Sequence, residues 1–275
     1  MVKKKIIQAK IISNRKIAAD HYVIRVEAAH LGRNSSPGQF VTVKAEEGTT
    51  DPLLRIPLGV HAVRKEGIDL LYKVVGPATE LLRSKEKGEK IGILGPLGKG
   101  FDLASLLREK DSEAVIVAGG HGVAPLCALA ETIIKKKKKV DFFIGACAKK
   151  HVVCTEKLKK LGARVYVATE DGTRGYKGYV TGLLQKHLKR KGLRLRSGQA
   201  KNKTRQWVYA CGPKPMLAEL AKVVKKYNVQ AQVSLDAYMA CGIGSCLGCA
   251  VRTKDGYKLV CKDGPVFDAQ EIKWI

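Results

Sequence analysis

Cys241, Cys246 and Cys249 stand in a C-x4-C-x2-C spacing, and Cys261 follows after eleven intervening residues. Thiolates are soft anionic donors, and this is the plant-type spacing of a [2Fe-2S] cluster. Gly242, Gly244 and Gly248 lie between the candidate ligands. A loop wrapping a cluster needs positive-φ positions and close backbone approach, so that amides can point at sulfur. Structural zinc is the competing four-thiolate reading. It usually pairs two short C-x2-C knuckles, which one compact triple and one distant cysteine fit poorly. Cys127, Cys147, Cys154 and Cys211 read as buried small hydrophobes, with Cys211 the exception because it falls in a second motif.

That motif belongs to a nucleotide site. An apolar run at 114–118 enters Gly119-Gly120-His121-Gly122-Val123-Ala124-Pro125, which opens a helix. Small residues there admit a pyrophosphate to the helix N-terminus and its free N–H groups. The pattern is not G-x-G-x-x-G, so a tight turn is the bland alternative. A later strand ends in Cys211-Gly212-Pro213-Lys214-Pro215-Met216, and another in Thr169-Glu170-Asp171-Gly172-Thr173. Three polar, glycine-rich strand ends are expected to share the crevice where open α/β sheets bind ligands.

A candidate flavin site precedes these. Arg55-Ile56-Pro57-Leu58 follows a turn, and Val74-Val75-Gly76-Pro77-Ala78-Thr79 ends a strand. An arginine can grip a pyrophosphate bidentately, and Gly76 and Thr79 at a helix start can donate to the same group. An ordinary strand end with Thr79 as a helix cap explains the second stretch equally well. The six histidines form no ligand spacing and are expected mostly at the surface; His121 alone lies in a ligand loop.

The elements needed to position these groups are legible in outline. Short β-branched runs at 6–12, 22–26, 40–43 and 70–75 are separated by turn signals, including Glu47-Gly48, and indicate a small β-barrel. The glycine-rich stretch 92–101 closes that region. From about 110 the chain alternates apolar strands (114–118, 140–146, 164–168, 207–210) with helical stretches (125–137, 154–161, 178–189, 214–227). This indicates a doubly wound α/β sheet. The segment after 235 is too poor in apolar residues for its own core, so a metal is expected to hold it. The expected division is 1–108 as barrel, 109–235 as α/β nucleotide domain and 236–275 as cluster segment.

The 275 residues are enough for a sizeable, aliphatic core, with 45% hydrophobic and only 6% aromatic residues. No run is long enough to span a bilayer, and the basic start has no apolar signal core, so the expectation is a cytoplasmic chain without membrane contact. A net charge of +26 invites nucleic acid, but no aromatics interleave with the basic runs at 135–139 and 186–205. The bland reading is a solvated, lysine-rich surface; a more pointed one is an acidic partner subunit or anionic phosphate cofactors, and no nucleic-acid partner is expected. The basic, turn-rich stretch 190–205 reads as an exposed loop.

Taken in order, these motifs resemble the electron-transfer subunits of NAD-linked dihydroorotate dehydrogenases, within the ferredoxin reductase-like family. The resemblance covers nearly the whole chain. It is carried by Pro37-Gly38-Gln39-Phe40, Leu54-Arg55-x-Pro57, Gly95-Pro96-Leu97-Gly98, the 119–125 and 211–216 motifs, Met239-Ala240-Cys241-Gly242-Ile243-Gly244 and 260–267. It implies an FAD-binding barrel, an NAD-binding domain and a C-terminal [2Fe-2S] loop. It also implies an FMN-containing catalytic partner that holds the pyrimidine site, in a heterotetramer. Arg55, Pro57, Leu58, Val75, Gly76 and Thr79 would hold FAD. Gly119, Gly120, Gly122, Asp171, Cys211 and Gly212 would line the nicotinamide nucleotide crevice. No protein acid, base or nucleophile is implied as a catalytic residue, because the cofactors carry the redox chemistry.

The sequence departs from the family pattern at two points. Leu58-Gly59 stands where a serine follows the arginine and proline, and Ala78 where the second flavin motif has glycine. Two other functions stay open on the sequence. One is the small subunit of a related complex, of ferredoxin:NADP oxidoreductase or sulfide dehydrogenase type, with Lys149 and Lys150 suited to a 2′-phosphate so that NADP stands beside NAD. The other is a non-catalytic iron–sulfur subunit that has lost its flavin.

Overall fold

The computed structural model describes residues 3–46, 48, 50–191 and 205–274. Most of the basic stretch 190–205, and Glu47 of one turn signal, lie outside the described residues. The first part is a closed antiparallel barrel of six strands: β1 (Lys5–Ala18), β2 (His21–Glu27), β3 (Phe40–Lys44), β4 (Ile56–Val63), β5 (Gly67–Lys73) and β6 (Lys90–Leu97), in the order β1-β2-β5-β4-β3-β6. Helices α1 (Ala29–Asn34) and α2 (Pro77–Ser84) add Leu31 and Leu82 to its core. Alternating residues such as Ile24 and Val26, Val41 and Val43, Ile91 and Ile93 fill the interior. This is the period-2 pattern of a strand with one buried face. Asp69 is buried on β5 and accepts from Arg25 of β2 at 2.8 Å and from Arg64, just past β4, at 2.8 Å, so the buried charge is paired twice.

Helix α3 (Ala104–Arg108) leads into the second sheet, built by β7 (Ser112–Gly119), α4 (Val123–Lys135), β8 (Lys139–Ala146), α5 (Thr155–Lys160), β9 (Arg164–Thr169), β10 (Tyr176–Lys177), α6 (Val180–Arg190), β11 (Arg205–Cys211), α7 (Lys214–Tyr227) and β12 (Gln230–Ser234). A hairpin, β13 (Ala250–Thr253) and β14 (Gly256–Leu259), precedes the last strand, β15 (Val266–Asp268). The sheet order is β10-β9-β8-β7-β11-β12-β15. All its pairs are parallel except the last. Consecutive residues of β7 face opposite cores: Ala114, Ile116 and Ala118 meet the α4 side, and Val115 and Val117 meet α6 and α7. A strand buried on both faces therefore reads as one unbroken apolar run. The order reverses between β7 and β11, which makes their C-terminal ends the topological switch point.

Two expectations are made more specific and two need correction. The glycine-rich stretch at 92–101 closes the barrel largely as strand: within β6, Gly92 pairs with Gln8 and Lys44 and Gly95 with Lys5, and at Gly95 a Cβ would meet Val41 at 2.7 Å. The cluster segment shares a core with its neighbours rather than forming its own. Val260, Phe267 and Ile272 pack with Phe40 and Leu97 of the barrel, and β15 extends the α/β sheet. Its apolar residues are few, but borrowed partners make them sufficient. The histidines are not surface residues: His21, His61 and His187 are buried and the other three half-buried. His187 on α6, for example, packs edge-on to Phe143. Finally, Cys147 is exposed and Cys154 half-buried, so of that group only Cys127 and Cys211 are core thiols.

Candidate functional site

The segment after β12 brings the four motif cysteines together. The β13–β14 hairpin occupies the eleven-residue interval, and its closure returns the chain so that Val260 donates to the Cys249 carbonyl at 3.1 Å. The Cys249 and Cys261 sulfurs then lie 3.2 Å apart, both buried. On the outer side the 241–246 loop folds around one sulfur: the amides of Ile243, Ser245 and Cys246 donate to Cys241 Sγ at 3.4, 3.3 and 3.4 Å. Positive φ at Gly242 (69°) and Gly244 (92°) permits that curl. Gly242 also lies close against the barrel, where a Cβ would meet Thr42 Cγ2 at 2.8 Å.

The electrostatics suit a metal. Amide donation from Ile243 and Cys246 brings the Cys241 thiol down to about 6, so it ionises readily. Burial, together with its neighbour Cys249, pushes Cys261 up to about 12. Two buried thiolates at this distance repel each other unless a cation lies between them, which is what an iron core provides. The donor set and its amides therefore fit a [2Fe-2S] cluster.

Beside this loop a cavity of about 530 Å³ opens at the junction of all three regions. The barrel contributes Phe40, Pro57, Leu58 and Gly59; the switch point contributes Gly119 to Gly122 and Cys211 to Lys214; the last segment contributes Met239, Val260 and Trp274 among others. Gly59 is needed for close approach, since a Cβ there would stand 3.1 Å from Pro125 of α4. The two switch-point loops touch backbone to backbone. A Cβ on Gly122 would lie 2.2 Å from the Cys211 carbonyl oxygen, and one on Gly212 would lie 3.0 Å from Gly119. Cys211 is buried, and burial, with a further push from Asp236, takes its thiol up to about 12, so it is neutral. Burial likewise raises Asp236 above the usual carboxylate range. His121 is held down to about 4 by burial first, then by His21 and Lys73, and is a neutral imidazole in the wall.

Other sequence-derived candidates stand elsewhere. Arg55, Val75, Gly76 and Thr79 do not line the cavity. They lie along the barrel rim, where Leu54 and Ile56 share a small hollow with Ala78 and Leu81 of α2. Arg55 Nη1 donates to the Gly92 carbonyl at 3.1 Å. Thr79 Oγ1 accepts from the amides of Val75 (2.9 Å) and Gly76 (3.1 Å), so it caps the helix. Val75 is 76% exposed, and nothing lies within 4 Å of a Cβ built on Gly76, so this rim is open to a ligand. Asp171 follows β9, two strands from the switch point. Its Oδ1 accepts from the Thr173 amide and hydroxyl at 2.9 and 2.7 Å, which lowers its pKa and shapes its own loop. Sequence reasoning missed the cavity residues Asp236 and Trp274. Neither falls in a motif, and only tertiary packing exposes their role. No described helix is long and apolar enough to cross a membrane.

Comparison with known proteins agrees with this arrangement. Residues 236–273 match the iron-sulfur cluster binding domain of dihydroorotate dehydrogenase B, and 116–222 match the oxidoreductase NAD-binding domain. The dihydroorotate dehydrogenase B (NAD(+)) electron transfer subunit of Desulforamulus reducens is 35% identical over 98% of this chain and 99% of its own length. The chain belongs to the family of these electron transfer subunits. The Caldanaerobacter subterraneus member is 37% identical over 96% of the chain and 97% of its own length. Among solved structures, an NADH-dependent reduced ferredoxin-NADP oxidoreductase, described for flavin-based electron bifurcation, superposes with a TM-score of 0.80 at 28% identity. That match covers 98% of this chain and 90% of the other. A ferredoxin NADP+ reductase from Neisseria gonorrhoeae shares the fold at 18% identity, with a TM-score of 0.63 over 80% of this chain and 91% of its own. The family's barrel, α/β sheet and cluster segment are thus all present in this member.

Proposed function

We propose that the chain is the electron-transfer subunit of an NAD-linked dihydroorotate dehydrogenase. Its parts would be an FAD-binding barrel (1–108), an NAD-binding domain (109–235) and a [2Fe-2S] segment (236–275). The observation that carries this is the shared wall between cavity and cluster loop: Val260 lines the cavity, and its neighbour Cys261 belongs to the cysteine set. FAD and the cluster, when bound, supply hydride exchange with NAD and single-electron exchange with a partner.

The residues do the rest. Cys241, Cys246, Cys249 and Cys261 hold the cluster, and the 243, 245 and 246 amides stabilise negative charge on its sulfur. Pro57, Leu58 and Gly59 offer a flat, apolar wall to a flavin ring, with Leu58 packed into the barrel core so that the family's serine is not needed for shape. Arg55, Val75, Gly76 and Thr79 form the rim that receives the pyrophosphate, Thr79 by fixing the loop rather than by donating itself. Gly119, Gly120, Gly122, Cys211 and Gly212 form the floor against which a nicotinamide lies, and the neutral Cys211 thiol excludes water there. Asp171 serves the dinucleotide only at its outer end, with Lys149 nearby through Thr173.

The partner is a catalytic subunit, as the relatives' name implies, and an FMN enzyme in a heterotetramer is the form we infer. Cys246 is exposed beside Ile243 and Leu247, so the cluster faces outward where a partner would dock. The net charge of +26 favours an acidic partner. A cytoplasmic setting is consistent with these roles.

The test is an anaerobic purification with iron, flavin and visible spectrum measured on one sample, followed by NADH and NADPH titration. Near-stoichiometric FAD, two irons per chain and bleaching by NADH support the reading. Iron without flavin, even after added FAD, sinks it in favour of a non-catalytic iron–sulfur subunit. Preference for NADPH would move it to the ferredoxin:NADP type.

A further inference from the structure

A second cluster of metal-ligating side chains lies away from the cavity and the cluster loop. His61 of β4, Cys127 of α4 and Cys154 at the start of α5 bring their donor atoms within 4.8 Å of one another. We propose that these three residues form a binding site for one thiophilic d10 cation, Cu(I) by preference over Zn(II), clamping the barrel to the α/β sheet.

The imidazole is set up as a ligand. Its Nδ1 lies 2.9 Å from the Ala124 carbonyl oxygen, which can only accept, so Nδ1 carries the hydrogen and Nε2 keeps the lone pair a metal would use. A ligating histidine is ordinarily oriented by such a bond from its other nitrogen. Burial keeps the ring neutral. A cation already occupies part of the space: Lys157 Nζ donates to His61 Nε2 at 2.8 Å. Lys157 is half-buried on α5 and can swing outward.

The separations suit coordination. Three donors at about 2.3 Å from a central metal stand about 4 Å apart in a plane, so closing from 4.8 Å takes less than an ångström of movement. Cys127 is fully buried, and Cys154 is half-buried, which gives an access route from solvent. Cys154 holds a left-handed backbone, φ 67°, at the α5 N-terminus.

Donor count and charge select the metal. Two thiolates, a neutral imidazole and a monovalent cation sum to one negative charge, which the Lys157 ammonium cancels. Zinc would require a fourth donor, and its neutral site would leave the Lys157 ammonium without a counter-charge. Binding displaces the two thiol protons to solvent. Cys127 lies one turn into α4, the helix that starts at the Gly120–Gly122 loop, so occupancy would fix the barrel against the nucleotide floor.

The experiment uses the full chain with its iron–sulfur cluster loaded, under anaerobic conditions. Cu(I) is offered in competition with a bicinchoninate chelator, and Zn(II) in a parallel arm with a zinc chromophore. Wild type should withdraw one equivalent more metal than Cys154→Ser and than His61→Gln, with iron content unchanged. X-ray absorption at the metal edge of wild type should show two sulfurs and one nitrogen, a readout that does not depend on how the variants fold. Uptake equal in wild type and both variants, or an edge spectrum without nitrogen, overturns the site. So does reduced protein that takes up neither metal and forms a Cys127–Cys154 disulfide in air. None of these readouts needs FAD or NADH, so the result stands apart from the proposed function.

Discussion

The cluster loop and the central cavity lie against each other but are built by opposite means. In the loop, chemistry comes from side chains: four thiols at fixed spacing, with amides aimed at one of them. In the cavity, chemistry comes from what is missing. Gly122 and Gly212 let backbones touch, and Gly59 and Gly119 admit the side chains of Pro125, Met216 and Pro213, at places where a Cβ would crowd its neighbour. A site made of donors fails when a donor is lost. A site made of close approaches fails when atoms are added.

That contrast can be broken by substitution. The largest effect is expected from Cys261→Ser, which removes a buried ligand and leaves the last segment without its metal. Iron should fall to near zero and thermal unfolding should begin in this segment, while FAD stays bound. Retention of full iron would show that the ligand set is wrong. Gly122→Ala should come next. With a Cβ 2.2 Å from the Cys211 oxygen, overpacking should cost about 1–3 kcal/mol and several degrees in Tm. Iron should be untouched and the KM for NADH raised; an unchanged KM would remove these loops from the nucleotide site.

Smaller effects separate the barrel rim from both. Thr79→Val removes the cap on α2 and should cost about 1 kcal/mol, whereas Arg55→Met should weaken FAD retention with less change in Tm. Equal loss of FAD in both, with equal loss of stability, would reduce the rim to structure. The last effect appears only in acid and is absent at neutral pH. His121 in the fold titrates at about 4, below the ordinary imidazole value of 6.5, so the unfolded chain binds its proton first. The stability tied to this group is complete above 6.5 and is lost as pH falls from there toward 4, by on the order of 1 kcal/mol per pH unit. His121→Asn should make that stretch of a stability–pH curve shallower, with buried His61 and His21 keeping the rest of the slope, and should leave iron content unchanged.

The same contrast explains what the sequence disclosed. The four cysteines and the strand–glycine–helix order at 114–125 are local patterns, and both survive intact in the fold. The barrel was legible as a class from its alternating strands. Yet β4 went unread because Pro57 and Gly59 sit in it, and β12 because five residues after a helix look like a loop. Arg55, Gly76 and Thr79 could be named but not separated from an ordinary cap, because capping a helix and holding a phosphate use the same residue types. Buried His61 and His187 were unreadable, because their partners Ala124 and Asp141 are distant in sequence.

The tail of the chain carries one more consequence. Strand β15 hydrogen-bonds to β12, Lys99 at the barrel's end donates to the Gly264 carbonyl at 2.6 Å, and Leu235 donates to the Pro265 carbonyl at 2.9 Å. Gly98 is pressed so closely on Pro265 that a Cβ would stand 2.5 Å from it. The segment therefore works as a suture sewn through both larger bodies. Amides in β15 should exchange with deuterium as slowly as those in the sheet it joins, and a protease should find nothing there to trim until the seam itself opens.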